Sequence, residues 1–174
     1  MTHFRYSLVF ALIIISSLFA GPSSALSCVR PDLLKSVNEA KNSNTVYYIF
    51  AGHIIPNNPV EYSVDPSRDV TPKPPKVVAA KFVGRSLAPN RQQDYVLENY
   101  PINVEISCIS VWCGQLPAPT EEIIAIVEAR PNESPVLTIG PCPGSIFPAL
   151  ERSVQSVREC LGADCQNGDK LSPF

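Results

Sequence analysis

The sequence predicts a mainly β chain that closes into a small antiparallel barrel of about five strands, with a helix before it, a helix after it and disulfides stapling it. Three observations lead there. Five stretches rich in β-branched and aromatic residues are separated by turns bearing Pro, Asn and Gly. Helical spacing of apolar residues occurs only towards the two ends. Six cysteines, an even number, follow a leader of the export type. Short loops join antiparallel neighbours, and one closed ring suits so few strands better than two packed sheets.

Residues 1–27 have the layout of a secretory signal peptide: Arg5 in a short basic start, an apolar run from Leu8 to Ala20, then small residues. That run is shorter than the roughly 20 residues a membrane-spanning helix needs. Cleavage after Ala25 and cleavage after Ser27 both fit the small-residue rule. The expected product is secreted or periplasmic, without a membrane span and monomeric, with residues 28–174 forming one domain large enough for a hydrophobic core. Of the 14 basic and 16 acidic residues only Arg5 lies in the leader, so the mature net charge is about −3. The absence of a basic cluster or stripe argues against nucleic acid and anionic membranes as partners.

Taken in order, Pro31 and Asp32 suit the first turn of a helix over about 31–42, with Leu33, Leu34, Val37 and Ala40 on its apolar face and Asn42 and Asn44 stopping it. Thr45 to Ile55 reads as a long strand, with Gly52 placed for a bulge. The span 56–76 holds Pro56, Pro59, Pro66, Pro72, Pro74 and Pro75 and reads as an exposed loop. Val77 to Leu87 is a second strand, again with a bulge glycine, Gly84. After a polar turn from Ala88 to Asp94 comes the expected central strand, Ile102 to Gly114. Ile102, Val104, Ile106 and Cys108 alternate with Asn103, Glu105 and Ser107, whereas Ile109, Val111 and Trp112 are apolar regardless of parity. The failure of alternation predicts burial on both sides before Gly114 and Pro117 turn the chain. Glu122–Arg130 and Pro135–Ile139 flank the four-residue turn Pro131–Ser134 as a hairpin. Ser145 is placed to cap a terminal helix with Pro148 in its first turn, Phe147, Leu150, Val154, Val157 and Leu161 on one face and Gly162 as its stop. Residues 166–174 read as a flexible tail.

Little in this inventory is catalytic. His53 is the one imidazole outside the leader, and mid-strand beside Gly52 it reads as structural. No Gly-x-Ser-x-Gly, phosphate loop or zinc-binding histidine pair is present. Glu121-Glu122 sits beside a turn and reads as solvated. Cys108-x4-Cys113 and Cys160-x4-Cys165 resemble metal-ligand pairs, yet their spacing exceeds the usual two to four and an exported chain oxidises its thiols. No Cys-x-x-Cys redox motif occurs. The chain is therefore expected to be no enzyme and to need no cofactor or metal. Trp112 reads as core, with a ligand-stacking platform as the alternative. Asn132-Glu133-Ser134 has the form of a glycosylation sequon followed by Pro135. As Cys108 and Cys113 stand five apart in an extended segment, their side chains are expected on opposite faces, with separate disulfide partners.

A cysteine at the mature start, a short helix, barrel strands, the element Val111-Trp112-Cys113-Gly114, the strand end Leu137-Thr138-Ile139-Gly140-Pro141-Cys142 and a terminal helix together resemble the N-terminal domain of tissue inhibitors of metalloproteinases. That family is netrin-like, so the resemblance implies an OB (oligonucleotide/oligosaccharide-binding) barrel. It implies that Cys28 bridges Cys113 and that Cys142 is the cysteine before the terminal helix. Cys160–Cys165 closing across the helix end then leaves Cys108–Cys142. It further implies an inhibitory wedge, Cys28, Val29 and Arg30 with Ser110, Val111, Trp112, Cys113 and Gly114, in which the α-amine and carbonyl of Cys28 chelate the zinc of a metalloproteinase partner. That chemistry needs cleavage after Ser27. The chain departs from the family in lacking the second cysteine of its Cys-x-Cys start, and Cys108, Cys160 and Cys165 have no counterpart there. The layout also resembles small exported bacterial proteins of unassigned function. Two functions are thus expected: an exported non-enzymatic binding module, or a chelating protease inhibitor.

Overall fold

Asp32 begins the first helix among the described residues by accepting a hydrogen bond from Lys35 N–H at 3.0 Å, which satisfies one of the donors a helix start leaves open. This helix, α1, spans Leu33–Lys41. The structure, a computed structural model, describes residues 28–59, 76–89, 93–109, 112–142, 144–163 and 165. The leader, most of the proline-rich loop, Ser110, Val111 and the tail 166–174 lie outside the described residues. After α1 come β1 (Tyr47–Pro56), β2 (Lys76–Ser86), β3 (Tyr95–Ile106), β4 (Cys108–Ile109), β5 (Trp112–Cys113), β6 (Ile123–Glu128), β7 (Val136–Ile139), β8 (Ile146–Pro148) and α2 (Glu151–Gly162). Among the described residues no helix is long and apolar enough to cross a membrane.

Five strands close a ring in the order β1-β2-β3-β7-β6, and β6 returns to β1. Four junctions are antiparallel, but β3 and β7 run parallel, Asn103 opposite Val136 to Ile106 opposite Ile139. The fully antiparallel barrel expected from loop lengths is corrected here for a simple reason. Directions that alternate around a ring return to their start only if the strand number is even, so a five-strand ring must contain one parallel junction. β8 adds an edge strand to β6, Ile124 opposite Phe147.

The ring has two apolar layers, as period-2 side chains demand of a sheet buried on both faces. Inside lie Phe50, Ile54, Phe82, Ile102, Val104, Ile123, Val127 and Leu137, each at most 2 % exposed. Phe50 is their centre, with ring centroids 5.2 Å from Phe82 and 5.7 Å from Tyr100. Outside, Ile49 and Ala51 of β1 and Ile124 and Ile126 of β6 pack under Val37 of α1 and Val154, Val157 and Cys160 of α2. Lys41 of α1 crosses to α2 and donates to the carbonyls of Cys160 (3.2 Å) and Ala163 (2.6 Å), supplying the cation that a helix C-terminus favours. On the ring's surface Arg130 forks onto Glu105 (2.7 and 3.3 Å) and reaches Glu128 (3.2 Å), tying β3 to β6 across the short β7.

The glycines of β1 and β2 have another purpose than the bulges expected of them. Gly52 and Gly84 stand directly opposite in an unbroken register, with φ of 152° and 154°. A register shift does fall beside Gly84, between Phe82 and Gly84, but the extra residue is in β3, where three steps from Leu97 to Tyr100 match two from Gly84 to Phe82 and Asn99 takes φ 52°. The terminal helix is also shorter than its pattern. Ser145 is no cap; its Oγ donates to Thr138 O, and Ile146–Pro148 is strand, so α2 begins at Glu151 after an N-cap, Leu150, that makes no side-chain bond. Pro148 suits an edge strand as well as it suits a first helical turn, and the pairing of β8 with β6 decides between them.

All six cysteines are paired, as oxidising compartments allow. The bridges are Cys28–Cys142, Cys108–Cys113 and Cys160–Cys165. The third matches expectation; Cys28–Cys113 and Cys108–Cys142 do not occur. Cys108 and Cys113 are not in one extended strand. The chain reverses between them and sets them opposite one another, so five residues of separation bring their Cα atoms to 4.0 Å.

Between β2, β3 and α2, the carboxyl of Asp94 is 13 % exposed and meets Arg158, the Ala88 N–H at 3.1 Å and Arg85 at 3.6 Å. Burial alone would raise its pKa, but these partners together outweigh burial and hold the carboxyl below its ordinary value. The stabilisation is therefore whole above the ordinary aspartate value of about 3.9 and is lost as pH falls through the lowered one. Asp94→Asn is expected to lose about 1–3 kcal/mol at neutral pH. The gap to wild type should narrow in urea titrations at a pH of about 3; an unchanged gap would refute this account.

Candidate functional site

The ribbon β4–β5 is built from the stretch expected to be the heart of the sheet. β3 ends at Ile106, and Ser107 steps aside, its N–H donating to Ile139 O at 2.9 Å at the end of β7. Cys108 then pairs with Cys113 and Ile109 with Trp112. The return leg is fixed by the Gly114 N–H, which donates to Ser107 O at 3.0 Å. Gly114 is buried so tightly that a Cβ there would lie 2.3 Å from Ile139 O, so this position admits glycine alone. Cys113 and Leu116 pack on the barrel interior. The ribbon's base is thus held by a disulfide, two backbone bonds and the core.

Its far end is different. Ile109 is 54 % and Trp112 53 % exposed, so the loss of alternation after Cys108 marks a chain reversal and not a segment buried on both sides. Trp112 is no core residue. Residues 110 and 111 of the expected wedge lie outside the described residues. The other limb, Cys28, Val29 and Arg30, is exposed, Val29 at 91 %. Cys28 is not tied to the ribbon. It is held by Cys142, with Cα atoms 5.4 Å apart, and Cys142 follows by three residues the Ile139 against which the ribbon is seated. Three residues of chain reach at most about 10 Å. Both limbs therefore root in the segment Ile139–Cys142.

Other candidates resolve more simply. His53 Nδ1 lies 3.1 Å from Glu121 O, and since a carbonyl only accepts, that nitrogen carries the proton in this bond. Glu121 and Glu122 are exposed. Each Cys-x4-Cys pair is a disulfide, and among the described residues no three of His, Cys, Asp and Glu gather as a metal group. Asn132 stands exposed in the turn between β6 and β7 with φ 62°.

Sequence reasoning missed the exposure of Ile109 and Trp112, although a signal exists. Cysteines at i and i+5 fall opposite each other if residues i+2 and i+3 reverse the chain, and the two residues between then share one end of the ribbon. Reasoning also missed a groove of about 420 Å³ between α1 and the outer faces of β6 and β7. Comparison with known proteins finds no matching family model, no matching curated protein and no matching solved structure.

Proposed function

We propose that this chain is an exported, non-enzymatic binding module, an OB-like barrel that seizes a protein partner with its disulfide-clamped ribbon. The OB-like reading is supported by strand order: counting β6 and β7 as fourth and fifth, the ring runs 1-2-3-5-4 and its third and fifth strands are parallel. Export is supported by the leader layout and by three disulfides. The observation that carries the function is the pair Ile109 and Trp112, two large apolar side chains left in water on a ribbon whose base is rigid. A preorganised Trp is the commonest kind of interface anchor, because little ordering cost remains when it enters a partner's pocket.

The test uses the fact that Trp112 is the only tryptophan. A photo-activated cross-linking residue at position 109 of the exported protein should capture the partner, while the same residue at the exposed Val77 of β2 should not. Binding of that partner should shift Trp112 emission to the blue as the indole leaves water. Trp112→Ala should weaken binding by at least about 2 kcal/mol, roughly 30-fold. Equal capture from both positions, or an affinity unchanged in Trp112→Ala, would sink the reading.

A second reading, chelation of a metalloproteinase zinc by the N-terminal amine of Cys28 in a netrin-like inhibitor, is favoured by one observation: Cys28 is exposed and anchored by Cys142 at the segment where the ribbon also roots. It requires Cys28 to be the first residue. N-terminal sequencing decides that, and inhibition that survives acetylation of the amine rules out chelation.

A further inference from the structure

The groove beside α1 belongs to neither limb of the ribbon site, and its chemistry is of another kind. Its floor is apolar, formed by Ala40, Ile126 and Val136. Its walls carry hydroxyls from separate elements: Ser36 and Ser43 from the α1 region, Tyr47 from β1, Thr138 from β7 and Ser145 before β8. Two carboxylates complete it, and each already has a cation. Glu128 takes Arg130 at 3.2 Å, and Glu39 lies 3.9 Å from Lys35. Among the described residues no lysine or arginine lines the groove itself.

These facts select a ligand class. An anion would face two carboxylates whose cations, Arg130 and Lys35, are not among the residues lining the groove, so phosphates and acids are disfavoured. A free cation would have to displace Arg130 from Glu128 and Lys35 from Glu39, two carboxylates on separate elements. An apolar ligand would strip water from two carboxylates and from the hydroxyls, which is costly. A neutral molecule with many hydroxyls meets none of these penalties: its O–H groups donate to the lone pairs that carboxylates and side-chain hydroxyls still hold, and its C–H face lies on the half-buried Ala40 and Tyr47 ring. The volume falls within the usual range of ligand pockets, about 300–1,000 Å³. We infer that the groove between α1 and the β6–β7 face binds a neutral mono- or disaccharide. This site is independent of the ribbon, so either can fail without the other.

Gly144 offers the means to test it. It lines the groove, and a Cβ there would meet nothing within 4 Å, so Gly144→Phe fills the space without touching the backbone. The ¹⁵N-labelled protein is titrated with glucose, galactose, mannose, N-acetylglucosamine, cellobiose and chitobiose, with ethanolamine as a cationic comparison. At least one sugar should give saturable amide shifts at Ser43, Thr138 and Ser145 with a dissociation constant of about 1 mM or tighter. Those shifts should vanish in Gly144→Phe and in Thr138→Arg, a second obstruction at an exposed strand position that serves if the first variant is unstable. Saturable shifts from no sugar, shifts that persist in both folded variants, shifts centred on the ribbon, or a response to ethanolamine alone would each overturn the inference.

Discussion

Gly52→Ala and Gly84→Ala should each destabilise the protein by about 3–5 kcal/mol, a large share of the 5–15 kcal/mol that holds a typical domain together. Two effects add. At φ of 152° and 154° the backbone sits where a side chain costs about 1–3 kcal/mol. A Cβ on Gly52 would lie 2.2 Å from Val83 O and 2.7 Å from Gly84 Cα, and one on Gly84 would lie 2.2 Å from Ala51 O. Neither neighbour is a flexible side-chain tip, so the strands themselves must part, at about 1–3 kcal/mol more. Because each new methyl collides with the other glycine, the double variant should lose less than the sum of the single ones: once β1 and β2 have separated, the second methyl finds room. Urea denaturation of the three variants measures both points. Losses below about 1 kcal/mol in the single variants would refute the claim that this crossing needs bare backbone on both strands.

Removal of Cys28–Cys142 should cost about 4–5 kcal/mol, against about 2 kcal/mol for Cys108–Cys113. The residues joined are separated by 114 positions in the first case and 5 in the second. In the chain-entropy account a bridge stabilises by denying conformations to the unfolded chain, and a long loop has more to deny. Paired Cys→Ala variants compared by denaturant titration give the two numbers. Equal losses would mean that local strain or unfolded-state structure outweighs loop entropy here. The short bridge still has its purpose in the proposed function, since it fixes the ribbon that carries Trp112, and its loss should weaken binding more than it weakens the fold.

Four strands of the ring were legible within a few residues because alternation and β-branched composition are local properties: Thr45–Ile55 became Tyr47–Pro56, and Val77–Leu87 became Lys76–Ser86, whereas the central strand expected at Ile102–Gly114 lies at Tyr95–Ile106. Asp32 stands at the start of α1, but as its N-cap and not within the first turn expected for it. What failed was every inference in which a neighbour elsewhere decides. Ile109 and Trp112 are apolar whether a strand is buried on both faces or turns back into water, and only the seating of Ser107 and Gly114 on Ile139 separates these outcomes. Ile146–Pro148 is extended because β6 offers it an edge. The groove exists because α1 lies beside β6 and β7, and none of its residues announces that locally. The disulfide partners of Cys28 and Cys108 were misassigned with the ribbon, since one wrong pairing displaces another.

The ring's closing seam also sets a timetable. The partners of β1 in β6 lie between 71 residues downstream (Gly52 to Ile123) and 81 (Tyr47 to Glu128). At synthesis rates of ~5–20 residues per second, one edge of β1, bearing Ile49 and Phe50, waits roughly 4–16 s for its neighbour to be made. Through that interval β1, β2 and β3 form at best an open three-strand meander, the arrangement most prone to pair with another chain. Cys142 emerges later still, after both β6 and β7. The Cys28–Cys142 bridge therefore cannot form before every strand of the ring has been made.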